Sequence, residues 1–226
     1  MSDYYRNVNQ DLLNRIPANA KRVLEIGCGS GWMGAAFKAR NPSTAYFGIE
    51  LFETSAKEAE ALLDGVICAN IEQDFTLPSK LAPNFDALVF GDVLEHLLDP
   101  WRTLRELRQY IEPGGSCVAC IPNVAHWSLI SGLLQGKWDY TDAGLLDRTH
   151  LRFFTVDSAI EMFQKTGWTV LDVAPRDFWP EQTEQALKAL LPVATAFGAP
   201  EAKARLNMSA FQWLVRATNG PAADAS

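Results

Sequence analysis

The chain has little that would staple, anchor or charge it toward a polyanion. Four of its 226 residues are cysteine, too few for a disulfide scaffold. Cys117 and Cys120 are spaced like a redox or metal pair. They fall in a predicted strand, Ser116 to Ile121, where residues three apart point to opposite faces, so they read as core. No apolar run approaches the roughly 20 residues that a helix needs to cross a bilayer. The first residues, Met1-Ser2-Asp3-Tyr4-Tyr5, lack the apolar stretch of a secretory signal. A reducing, cytoplasmic setting is the expectation. Acids outnumber bases 27 to 20, for a net charge of −7, so the broad basic footprint of a nucleic-acid binder is missing and such a partner is not expected. Histidine is scarce, with only His96, His126 and His150. There is no internal repeat and no low-complexity tract.

What is present suits one α/β domain. Hydrophobic residues make up 48% of the chain, ample for one buried core. Short apolar strands alternate with helical stretches: strands at 22–26, 46–49, 65–70, 85–90, 116–121 and 168–173, a last strand at 210–217, and helices at 11–16, 32–40, 53–63, 100–111, 156–165 and 181–191. This alternation implies βαβ units and a parallel sheet. Two connections exceed what such units need, 123–150 and 175–205. Long insertions in a compact domain usually form lids or binding loops. The domain is therefore read as residues 1–226, with those two segments as an acceptor-side cap. The first of them carries Trp127, Trp138 and Tyr140.

The strongest signal is Val23-Leu24-Glu25-Ile26-Gly27-Cys28-Gly29-Ser30-Gly31. A strand runs into glycines at alternate positions, and glycine lets backbone pass close to a ligand. Nineteen residues past Gly31, a second strand ends in Glu50, the placement of an acid that holds ribose hydroxyls. A dinucleotide fingerprint would need its third glycine at Trp32, whose indole would crowd a pyrophosphate. Glu25 would also repel phosphates. It suits a ligand carrying an ammonium group.

The spacing resembles the glycine-rich motif of class I S-adenosylmethionine-dependent methyltransferases. That resemblance implies a Rossmann-like three-layer sandwich with a mostly parallel seven-stranded sheet and S-adenosyl-L-methionine as cofactor. It implies donor contacts from Glu25, Gly27, Cys28, Gly29, Gly31 and Trp32 at the first strand, from Glu50 and Leu51 at the second, and from Asn70 and Ile71 at the third. Asn70 is a mild departure, since the family more often has aspartate there. Gly91, Asp92 and Val93 follow the fourth strand, where donor and acceptor meet. Tyr5, beside Tyr4, could close over the donor. The Asn/Asp-Pro-Pro-aromatic string of adenine amine methyltransferases is absent from residues 91–100.

Residues 146–155, Leu-Asp-Arg-Thr-His-Leu-Arg-Phe-Phe-Thr, look like a string in small bacterial methyltransferases of polysaccharide and glycoconjugate synthesis. The acceptor this implies is a small molecule, a sugar hydroxyl or amine, and a sugar or glycan hydroxyl is the expectation taken. An alcohol must lose a proton, and His96 or His150 could take it. Asp92, Glu95, His96 and His150 also resemble the divalent-ion arrangement of small-RNA 2′-O-methyltransferases. A third reading has Glu95 and His96 merely orienting their loop. A metal-dependent RNA enzyme and a non-catalytic donor-sensing protein both stay open as alternatives. The sequence fixes no oligomeric state.

Overall fold

The computed structural model describes residues 8–73, 75–78 and 84–220. Seven strands form one sheet: β1 (Arg22–Ile26), β2 (Ala45–Glu50), β3 (Gly65–Cys68), β4 (Phe85–Gly91), β5 (Ile111–Pro122), β6 (Thr169–Arg176) and β7 (Gln212–Thr218), in the order β3-β2-β1-β4-β5-β7-β6. β1 to β5 are parallel, and β7 runs antiparallel to both β5 and β6. The expected fold class holds. The central strands are buried on both faces, as their unbroken apolar runs require.

Helices cover each face. On one side α1 (Gln10–Leu13), α2 (Trp32–Arg40) and α3 (Glu53–Ala59) bury Leu12, Leu13, Phe37 and Ala59 against Val23, Tyr46, Val89 and Cys120. On the other, α4 (Pro100–Arg108) and α6 (Val156–Lys165) bury Leu104, Leu107, Met162 and Phe163 against Leu24, Leu88, Phe90 and Cys117. Cys117 and Cys120 lie in opposite layers and both are free. Asp99 caps α4 by accepting from the Arg102 amide, one residue ahead of Pro100, and Thr155 with Ser158 forms a capping box on α6. Among the described residues no helix is long and apolar enough to cross a membrane.

Several boundaries differ from expectation. β5 begins at Ile111 rather than Ser116, because Ile111 already pairs with Phe85 ahead of an irregularity in the register. α4 accordingly stops at Arg108. The helix expected at 181–191 runs from Pro180 to Ala196 as α7, straight through Pro192. Proline forfeits one backbone bond, but Leu187, Leu190 and Leu191 bury against Ala204 and Met208 of α8 (Glu201–Ser209), and Ala194 packs on the same cluster. Neither α8 nor α5 (Trp127–Leu134) was legible as a helix; α5 lies inside the first long connection, and α8 begins in the second and runs past its end to Ser209.

Candidate active site

Three glycines wind the turn from β1 into α2. Gly27, Gly29 and Gly31 have φ of +66°, +54° and +82°, a region in which side chains are strained. A Cβ on Gly27 would sit 2.6 Å from Val93 Cγ2. The loop after β1 and the loop after β4 therefore interlock at the carboxyl edge of the sheet, and only glycine permits the fit.

Glu50 ties this turn to β2. One carboxylate oxygen accepts from the Gly29 amide at 2.8 Å and the other from the Phe52 amide at 3.0 Å. Each oxygen keeps a second lone pair, so the buried carboxylate can hold the turn and still accept from ribose hydroxyls. Glu25 is buried as well, and its Oε2 has no hydrogen-bond partner among the described residues. Burial pushes its pKa up to about 8, the nearby Tyr46 hydroxyl pulls it down, and Glu50 repels it upward. Tyr46 is close enough to act on that charge, yet its own hydroxyl also lacks a well-aligned partner. An orphaned acid at a strand end fits an ammonium group. Next along the chain from Gly31 and from Glu50, Trp32, Leu51 and Phe52 expose 41%, 53% and 58% of their surface, apolar area that a flat nucleoside could cover. The residues present thus fit S-adenosylmethionine, and Phe52 and Tyr46 join the expected set.

Other expected residues vary. Cys28 is buried and packs on Gly48, whose Cβ would fall 2.3 Å from its sulfur, so its side chain is structural. Ile71 is buried, while Asn70 is exposed and accepts from the Glu72 amide at 2.9 Å. Tyr4 and Tyr5 lie outside the described residues.

The chain after β4 carries the second half of the site. Asp92 has φ +55°, rare for a residue with a side chain. Gln212 of β7 holds it, donating from its amide nitrogen to Asp92 Oδ1, while the Gln212 oxygen accepts from Arg176 of β6. Burial raises the Asp92 pKa to about 6, against the pull of Cys120, Arg176, His96 and Gln212. Gln212 and Arg176 come from the far end of the chain, and no sequence signal marked them.

Leu94–His96 then form a 3₁₀ turn. The Glu95 carbonyl accepts from the Leu151 and Arg152 amides at 2.8 and 2.9 Å, which clamps the 146–155 string onto this turn. His96 and His150 meet edge to face, ring centres 4.8 Å apart, so the two sequence-chosen histidines do converge. His150 Nδ1 lies 3.2 Å from the Leu145 carbonyl. His96 Nδ1 lies 3.2 Å from the Thr149 carbonyl and 3.1 Å from its hydroxyl, which in turn donates to Asp147 at 2.6 Å. A carbonyl only accepts, so these partners assign each proton to Nδ1 and leave Nε2 as a free lone pair. Burial, and then His96, lower the pKa of His150.

Rings continue outward. Phe153 lies 6.5 Å from His150, and Trp138 lies 5.6 Å from Phe153. Trp127 takes a different role, its indole donating to Thr183 of α7 at 3.0 Å. His126 stays apart as well, fully buried and capping α5 through the Ser128 amide. A cavity of about 460 Å³ lies elsewhere, lined by Asp11, Arg15, Arg176 and Phe178. It touches none of the donor residues.

The family whose description is "Methyltransferase domain" matches residues 1–173. Among curated proteins, a hybrid PKS-NRPS synthetase of Fusarium is 24% identical over 188 residues, 78% of this chain and 5% of that protein. A ubiquinone biosynthesis O-methyltransferase of Chromobacterium violaceum is 32% identical over 101 residues, 42% of this chain and 41% of that protein. The chain thus spans less than half the length of these two relatives. Among solved structures, a methyltransferase from Haloferax volcanii described in complex with the Trm112 activator superposes with a TM-score of 0.63. It is 18% identical, over 97% of this chain and 92% of that one, which is a likeness of fold.

Proposed function

Because this chain belongs to the methyltransferase-domain family, we propose that it is an enzyme that moves a methyl group from S-adenosyl-L-methionine to the hydroxyl of a small molecule. The observation that carries the reading is Glu50, a buried carboxylate that fixes the glycine turn through Gly29 and the following loop through Phe52. When bound, the donor supplies an electrophilic methyl on a sulfonium. Glu25 receives its ammonium group, Glu50 its ribose, and Trp32, Leu51 and Ile71 line the rest. Asp92 and Val93 face the edge where donor and acceptor meet. The interlock of Gly27 with Val93 keeps that edge fixed to the donor turn, so much of the rate comes from positioning.

Direct displacement needs an acceptor oxygen whose proton departs. The pair His96 and His150, whose Nδ1 atoms face carbonyls, assists that loss. Trp138 and Phe153 beside the pair favour an acceptor with a ring to stack, and segments 123–150 and 175–205 form its side of the cleft. A sugar hydroxyl rests on the 146–155 string alone. The O-methyltransferase relative favours oxygen as the methylated atom without fixing the scaffold. The test is turnover. The chain with donor and a panel of sugars and phenols should release S-adenosylhomocysteine with at least one of them. Binding of donor with no turnover across the panel would contradict an enzymatic role.

A further inference from the structure

Glu95 and His96 are consecutive in the 3₁₀ turn after β4, and the two amides that clamp Glu95's carbonyl bring His150 against them. One ligand atom from each of Glu95, His96 and His150 lies within 4.8 Å of the others. Glu95 is 1% exposed, and neither carboxylate oxygen has a hydrogen-bond partner among the described residues. We propose that Glu95, His96 and His150 bind one first-row transition-metal dication, Zn²⁺ or Mn²⁺, and that it activates the acceptor hydroxyl. This deepens the methyl-transfer reading, on which it rests. The imidazoles then serve deprotonation through the cation and do not themselves take the proton.

Three features support the site beyond proximity. Ligating histidines commonly donate their other ring N–H to a carbonyl or carboxylate, which fixes ring and tautomer. Both rings here do so, His150 to Leu145 and His96 to Thr149, and Thr149 is braced in turn by Asp147. Two imidazoles and a carboxylate suit Zn²⁺, Mn²⁺ or Fe²⁺ better than Ca²⁺ or Mg²⁺. A buried carboxylate with no hydrogen-bond partner among the described residues is unfavourable unless a cation meets it. Asp92 stands outside the set because Gln212 already holds it. The arrangement is therefore a three-residue site and not the four-residue one its resemblance to small-RNA enzymes implied. Ligands at roughly 2.0–2.2 Å from a common ion sit closer together than 4.8 Å, so Glu95 and the rings close inward by about an ångström on binding.

Three protein ligands leave positions open to the acceptor's oxygen. The hydroxyl releases its proton to solvent. Its oxygen pair then forms the C–O bond, and the C–S pair returns to sulfur as a neutral thioether.

The test is calorimetric titration of the full chain, dialysed against a chelator, with MnCl2 or ZnCl2 and with neither donor nor acceptor present. One ion should bind per chain. His96→Ala, His150→Ala and Glu95→Gln should each weaken it at least tenfold, and MgCl2 should bind at least tenfold more weakly than MnCl2. Glu50→Ala should keep the metal affinity while losing donor affinity, so failure of the donor reading shows separately. If Glu95→Gln does not fold, the two histidine variants decide. No binding of either ion by the folded wild-type chain, or undiminished affinity in both histidine variants, overturns the proposal. So does turnover that survives chelation yet is lost in His150→Ala, which would assign that ring as the proton acceptor.

Discussion

Glu25 links folding to proton uptake. Its carboxyl titrates near pH 8 in the folded chain against an ordinary value of 4.5. The folded state therefore binds a proton that the unfolded state has released, and stability falls as pH rises through that window. Without donor, the wild-type chain should lose up to about 1.4 kcal/mol per pH unit relative to Glu25→Gln between roughly pH 5 and 8. Thermal unfolding of both proteins across that range checks this; parallel curves would mean that Glu25 is not buried as an acid. His150→Ala should lower kcat by roughly 10²–10⁴-fold while donor affinity stays within about threefold. An unchanged kcat would remove the ring from the chemistry. The sequence singled out Glu25 and Glu50 by spacing and His96 and His150 through family resemblance, and the structure buries both acids and brings the two rings together. Tyr46, Gln212 and Arg176 were not legible there. Tyr46 acts on Glu25 across the β1–β2 pair, and Arg176 pairs with Gln212 across β6 and β7; nothing local distinguishes Gln212 from any other strand-end glutamine.

The turn after β1 and the loop after β4 behave as one unit. Gly27 meets a double penalty on gaining a side chain, from φ +66° and from Val93 Cγ2 at 2.6 Å. Gly27→Ala should cost about 1–3 kcal/mol and weaken donor binding. Adding Val93→Ala should relieve the clash but leave the backbone strain, so the double variant should recover only part of the stability. Full recovery by denaturant titration would show that φ was not limiting. By contrast Thr155→Val, which removes the cap of α6, should cost about 1 kcal/mol and leave donor affinity alone. Regular elements with clear caps, such as α6, were read closely from sequence. The long connections were not, because α5 and α8 are short and amphipathic only toward their own satellite cluster with α7. Pro192 reads as a stop, yet burial of Leu190 and Leu191 outweighs one missing backbone bond.

The sheet as a whole brings these pieces to one edge. Strand order β3-β2-β1-β4-β5 puts the carboxyl ends of β1, β2 and β4 side by side, the crevice where ligands of parallel sheets bind. The antiparallel β7 between β5 and β6 then brings Gln212 back to Asp92. Alternating strand and helix foretold the parallel part. The β7 reversal needs the whole topology, because strand direction is invisible in a seven-residue strand. The proposed function places a cationic nucleoside between the two acids buried at adjacent strand tips. Calorimetric titration of S-adenosylhomocysteine into wild-type chain and Glu50→Ala examines that most directly. The account predicts saturable binding by the wild type, weakened roughly 10–100-fold in the variant, as expected for lost hydrogen bonds to a charged group. No binding by the wild type, or equal affinity in both proteins, would contradict it.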